Sequence, residues 1–304
     1  MAGLVPAPLP PRTYTPVPSI GATEDAHRGP RTSRPSHAAA PKSRDWPSGV
    51  VRDGSDAERE RGRPADVLVV AVDGRSWTTI TAASGLEDVR GTSAKVVLDT
   101  PLLPASGATL QACASGDYRA HWLAFAARLD GLKTAPIVDL GAAMNREGAP
   151  WSGDPGAYAR CWSEVARTVK KAAPNVAFQW TPTLGSQPGM PGVTVLAAWP
   201  ERSLVDVVGV DAIADGRPWS EQVNGAYGLN YWAAFADRRG RRIAVARWGV
   251  RAGVSDARTV NPAYIHNMHD WVARVAAKQA LAYEAYSEPA DAPKRVTDAY
   301  RDLF

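Results

Sequence analysis

The chain has 304 residues, 45% of them hydrophobic, and a formal net charge of +4. That length holds one large domain or two small ones, and so modest a charge gives no ground for a nucleic-acid partner. No apolar run approaches the roughly 18–20 residues of a membrane span.

The N-terminus lacks the apolar core of a secretion signal. The protein is therefore expected to be cytoplasmic, to begin after a removed signal or anchor, or to leave the cell by an unconventional route. Residues 1–45 are rich in Pro, Ala, Ser, Thr and Arg, with no sustained apolar periodicity. Such a segment cannot bury enough surface to offset its ordering entropy. It reads as a disordered, Pro-rich basic arm, with docking of a protein partner as its functional alternative.

From Trp46 the character changes. Ser48 to Val51 suits a short first strand. Val67 to Val72 is a continuous apolar run ending in Asp73, and Ala94 to Leu98, apolar but for Lys95, ends in Asp99. Tyr118 to Leu129 carries Trp122, Phe125, Ala126 and Leu129 at spacings of three and four, the period of a helix. Ile137 to Leu140 is the next strand. Asp154 and Pro155 then suit the cap and first position of a helix whose apolar face is Tyr158, Trp162, Val165 and Val169. Strands are expected at Val176 to Trp180, Leu204 to Val210, Ile243 to Ala246 and Leu281 to Tyr286. Helices are expected around Tyr231 to Ala236 and, capped by Asn261, from Pro262 to Val275. Short apolar strands alternating with amphipathic helices indicate an α/β fold. Close to eight such strands over residues 46–304 indicate a closed (β/α)8 TIM barrel. No Gly-rich phosphate loop follows any strand.

Cys113 and Cys161 have no metal-type spacing and are read as buried thiols in preference to a disulfide. His121, His266 and His269 fall at helical positions without companion ligands, so packing or surface roles are expected for them. Nothing in the sequence asks for a metal or a cofactor.

Several local patterns occur in a fixed order. They include Pro101-Leu-Leu-Pro104, His121-Trp122, Leu140-Gly141 with Met144-Asn145 and Pro150-Trp151, Trp180-Thr-Pro182, Gly209-Val-Asp211 and Trp248-Gly249. Together they resemble glycoside hydrolase family 26, the β-mannanase-type retaining hydrolases, over roughly residues 47–304. The resemblance implies two catalytic glutamates, one as acid/base and one as nucleophile, with carboxyls about 5–5.5 Å apart. It places the acid/base at Ala143 and the nucleophile at Arg247. Alanine has no proton to give, and arginine is always cationic and accepts nothing. Ala142, Thr181 and Ile213 also depart from the family's pattern.

Three functions follow as expectations. In the first, the chain is a catalytically inactive relative that binds a polysaccharide or oligosaccharide in the former cleft. Trp77, Trp151, Trp180, Trp199 and Trp248 would then be stacking faces, with Asn145, Asp211 and Arg247 as polar contacts. In the second, it is an endo-β-glycosidase of mannanase or glucanase type whose carboxylates have moved to Asp139, Glu147, Asp211 or Glu284. In the third, it is a non-catalytic scaffold. Arg247 is expected to point into the barrel mouth and pair with one of those four carboxylates. The resemblance also implies an extracellular or cell-envelope location if an export signal has been removed.

Overall fold

A computed structural model of the chain describes residues 45–52, 57–250, 262–288 and 292–304. The expected N-terminal arm, apart from Asp45, and the Asn261 cap lie outside the described residues. Eight parallel strands close into a barrel in chain order. They are β1 (Ser48–Arg52), β2 (Val67–Ala71), β3 (Lys95–Thr100), β4 (Ile137–Leu140), β5 (Ala177–Trp180), β6 (Val207–Ile213), β7 (Arg242–Gly249) and β8 (Leu281–Tyr286). The helices are α1 (Ala57–Glu60), α2 (Trp77–Thr81), α3 (Leu110–Ser115), α4 (Arg119–Arg128), α5 (Pro155–Ala172), α6 (Trp219–Asn224), α7 (Leu229–Arg238), α8 (Pro262–Ala276) and α9 (Lys294–Leu303). This is the (β/α)8 barrel that the alternation of apolar runs and amphipathic segments predicts.

The strands are largely apolar because both of their faces are covered, and their polar residues fall mainly toward the ends. Val67, Val69, Val97, Ile137, Val207, Ala244 and Tyr283 fill the inside of the barrel. Val70, Leu98, Val138, Phe178, Val208 and Val245 point outward into a second apolar shell under the helices. In that shell Trp122, Trp162, Trp180, Trp232 and Trp248 are fully buried. Helix α5 begins as its sequence requires: the Asp154 carboxylate accepts from the Ala157 N–H at 2.8 Å, with Pro155 next. A disulfide between Cys113 and Cys161 ties α3 to α5, which corrects the reading as free thiols. Spacing alone could not show it, because the two residues are brought together only by packing of these helices.

Two strand boundaries also differ from expectation. Leu204 belongs to a 3₁₀ turn (Arg202–Leu204), so β6 begins later and carries Asp211 within it. Likewise β7 extends through Arg247 and Trp248 to Gly249, because its pairing with β6 continues past a bulge. Among the described residues no helix is long and apolar enough to cross a membrane.

Candidate functional site

The carboxyl ends of the strands converge on a small polar mouth. Asp99, Asp139 and Gln179 are consecutive cross-strand neighbours on β3, β4 and β5. The Asp139 Oδ2 accepts from Gln179 Nε2 at 2.8 Å and from Thr181 Oγ1 at 2.9 Å. Gln179 Oε1 in turn accepts from the Tyr283 hydroxyl at 2.9 Å. Gly209 makes room for this network: a Cβ there would lie 2.0 Å from Thr181 Oγ1 and 2.8 Å from Gln179 Nε2.

Opposite this group, β6 and β7 change register. Val210 pairs with Val245, but Asp211 pairs with Arg247, so Ala246 is an extra residue on β7. A bulge of this kind re-aims the side chains beyond it. Ala244 faces the barrel interior and Val245 the helices. After the extra residue, Arg247 turns into the mouth and Trp248 turns outward. The Arg247 Nη2 then lies 3.5 Å from Asp211 Oδ2.

The segment after β4 supplies the rest. Gly141 and Ala143 both take left-handed backbone angles, with φ of 59° and 56°. That reverses the chain, and the Ala143 N–H donates to the Thr181 carbonyl at 2.7 Å. Asn145 clips this segment to the one after β5: its Nδ2 donates to the Thr183 carbonyl at 2.9 Å and its Oδ1 accepts from the Thr183 N–H at 2.7 Å. The Trp151 indole N–H donates to the Ala142 carbonyl at 3.2 Å. Arg146 reaches across and donates to Asp211 Oδ2 at 2.9 Å. A cleft of about 290 Å³ remains, lined by Asp99, Ala143, Arg146, Glu147, Trp151 and Arg247.

Charge in the mouth is unevenly shared. Burial pushes the Asp139 carboxyl well above the usual carboxylate range, and the neighbouring Asp99 adds to the rise. Its Oδ1 is buried without a hydrogen-bond partner, so the charged form is poorly compensated there. Asp99 is also raised by burial, but Arg247 opposes the shift. One carboxylate oxygen of Asp211 serves both guanidiniums.

The residues singled out from the sequence divide accordingly. Arg247, Asp211, Trp151, Glu147 and Ala143 meet at the mouth. Asn145 is beside them, but both ends of its amide are held by backbone. Trp180 and Trp248 are fully buried on the outward faces of their strands, so the stacking role expected of them is corrected. The pleat makes them alternate with Gln179 and Arg247, and neighbours on a strand cannot share a face. Trp77 packs flat on His121 at 4.5 Å between ring centroids, among the outer helices. Trp199 lies on the outer wall against Trp180 and Phe235. Glu284 points away from the mouth and accepts from the Trp248 indole N–H at 2.6 Å. It is therefore not available to Arg247.

Sequence reading missed Asp99, Arg146, Gln179 and Tyr283. Asp99 had a signal, since it ends an apolar run with inward-facing Val97 two residues before it. Arg146 had none, because its reach depends on the path of the loop. Among the described residues, no group of three or more His, Cys, Asp or Glu is placed to hold a metal ion.

No family model matches the chain, and no curated protein matches it by sequence. Solved structures do match it in fold. An endo-β-1,4-mannanase double mutant from Cellulomonas fimi superposes with a TM-score of 0.60 at 16% identity, covering 84% of this chain and 70% of that one. The catalytic domain of a family 26 endo-β-1,4-mannanase from Bacillus sp. JAMB-750 gives 0.59 at 13% identity, covering 85% of each. A family 10 protein from Paenibacillus barcinonensis gives 0.57 at 11%, covering 85% of this chain and 94% of that one. The barrel therefore has a glycoside hydrolase family 26-like fold, shared more broadly with other glycoside hydrolase barrels.

Proposed function

We propose that this protein is a glycoside hydrolase-like barrel that binds a polysaccharide or oligosaccharide at its mouth without cleaving it. The observation that carries the reading is the bulge on β7. It directs Arg247, at the position where the resemblance puts the nucleophile, against Asp211. A fixed guanidinium there disfavours an oxocarbenium-like transition state and has no electron pair for the anomeric carbon. Ala143, on the acid/base position, has no proton to deliver. What remains suits recognition: the ring of Trp151, with Asp99, Arg146 and Arg247 as donors and acceptors around one cleft and Asp211 holding both guanidiniums from behind. The disulfide fits a protein that works in an oxidising compartment.

A second reading, hydrolysis by relocated carboxylates, is favoured by one feature. Asp99 and Asp139 are adjacent cross-strand neighbours, and burial raises both carboxyls while Arg247 opposes the rise at Asp99 alone, an asymmetry of the kind that acid–base pairs use.

Two measurements on the full chain separate these readings. Turnover of mannan, mixed-linkage glucan and aryl glycosides is expected to stay at background, since general acid help alone is worth about 10²–10⁴ in rate. Binding of at least one of these glycans is expected, weakened tenfold or more by Trp151→Ala. Turnover that disappears in Asp99→Asn would establish the relocated pair. Neither turnover nor binding would leave the barrel as an interaction scaffold.

A further inference from the structure

A second cavity, of about 370 Å³ against 290 Å³ at the mouth, lies on the outer wall of the barrel. Arg160, Ser163, Glu164 and Arg167 of α5 line one side, and Trp199 and Glu201 line the other. Its volume falls in the range of about 300–1,000 Å³ usual for small-molecule sites.

The aromatic element is fixed in place. Trp199 is half-buried and packs edge to face on Trp180 and Phe235, at 5.1 and 5.2 Å between centroids. The Arg239 guanidinium lies 4.9 Å from its ring centre. The polar wall is more exposed but is linked by ion pairs. Arg167 donates to Glu164 at 3.1 Å and to Glu201 at 2.7 Å. The Glu201 backbone N–H donates to Ser163 Oγ at 3.0 Å. Arg167 bridges Glu164 and Glu201, and Glu164 also pairs with Arg119, so both glutamates of the groove are already matched by arginines. An anionic ligand would meet the two glutamates, and a cationic one would have to displace Arg167 from them. An apolar peptide would find only Ala114, Ala159 and Pro200 besides the indole. A pyranose fits both features: its C–H face suits an aromatic ring, and its hydroxyls suit a dense set of donors and acceptors.

We infer that this groove is a second glycan-binding site, built on Trp199 and taking a neutral sugar chain away from the barrel mouth. It stands independently of the reading of the mouth.

Calorimetric titration of the full chain with β-1,4-linked hexasaccharides of mannose, glucose and xylose tests it. Two sites are expected in the parent and one in Trp151→Ala. In that background Glu201→Gln and Arg160→Ala, both on exposed side chains, are expected to weaken the remaining site tenfold or more with unchanged circular dichroism. Trp199→Ala is expected to remove it. A single site abolished by Trp151→Ala, or groove variants that bind unchanged, overturns the inference and leaves the mouth as receptor. A single site abolished only by the groove variants supports the inference and overturns the reading of the mouth. No binding by the parent overturns both.

Discussion

Arg247 shows how much one residue depends on its register. Its guanidinium is half-buried and shares Asp211 with Arg146, whereas the Asp211 side chain is almost wholly buried. The two ends of the pair are therefore unequal. Arg247→Ala removes one of two partners from Asp211 and is expected to cost about 1 kcal/mol, a value reduced by solvent screening. Asp211→Ala removes both pairs at once, but the guanidiniums left behind are 51% and 35% exposed and stay hydrated, so its expected cost is about 2 kcal/mol. Urea unfolding of both variants checks the order, and equal costs would mean that Asp211 is not the hub of the site. Glu284 is the opposite case, a buried carboxylate outside the mouth. Burial pushes its pKa to about 7, against the hydrogen bonds from Ser48 and Trp248 and the charges of Arg61 and Arg63. Its folded pKa is thus raised above the ordinary 4.5. Its contribution is fully present below that value and is lost as pH rises through 7, by roughly 3 kcal/mol in all. Stability measured at pH 5 and pH 8 is expected to fall by an amount that Glu284→Gln abolishes. An unchanged slope in that variant would refute the assignment.

Among the elements, β6 and α5 show how packing constrains sequence. At Gly209 even one added methyl meets Thr181 and Gln179 inside the barrel. Gly209→Ala is expected to cost about 1–3 kcal/mol through overpacking and to weaken ligand binding at the mouth, because Asp139 depends on the same two residues. Adding Thr181→Ala is expected to recover part of the stability and none of the lost hydrogen bond to Asp139. Denaturation midpoints and binding titrations of the single and double variants read this directly. The Cys113–Cys161 disulfide closes a 48-residue separation. By loop-closure entropy its removal in Cys113→Ala/Cys161→Ala is expected to cost about 4 kcal/mol. A midpoint that does not shift would show that the contacts between α3 and α5 suffice without it.

At the scale of the whole molecule, two apolar shells hold one barrel, and the polar mouth is an interruption of the inner shell. The sequence by itself determined the architecture. Each strand is built on a short apolar run because both faces are covered, and each long helix repeats its apolar residues at three and four. Those signals are local and survive without neighbours. It also determined which residue types stand at the two positions where catalytic glutamates are expected, since identity is read directly. Only the tertiary structure decided which side chains meet. A single extra residue, Ala246, fixes whether Arg247 or Trp248 enters the mouth, and period-2 reasoning cannot locate a bulge. Trp180 and Trp248 read as well for stacking faces as for core, because a buried indole and an exposed one have the same sequence signal. Asp99, Arg146 and the disulfide partners lie far apart along the chain, so their association rests on strand register, loop path and helix packing, which close only when the barrel does.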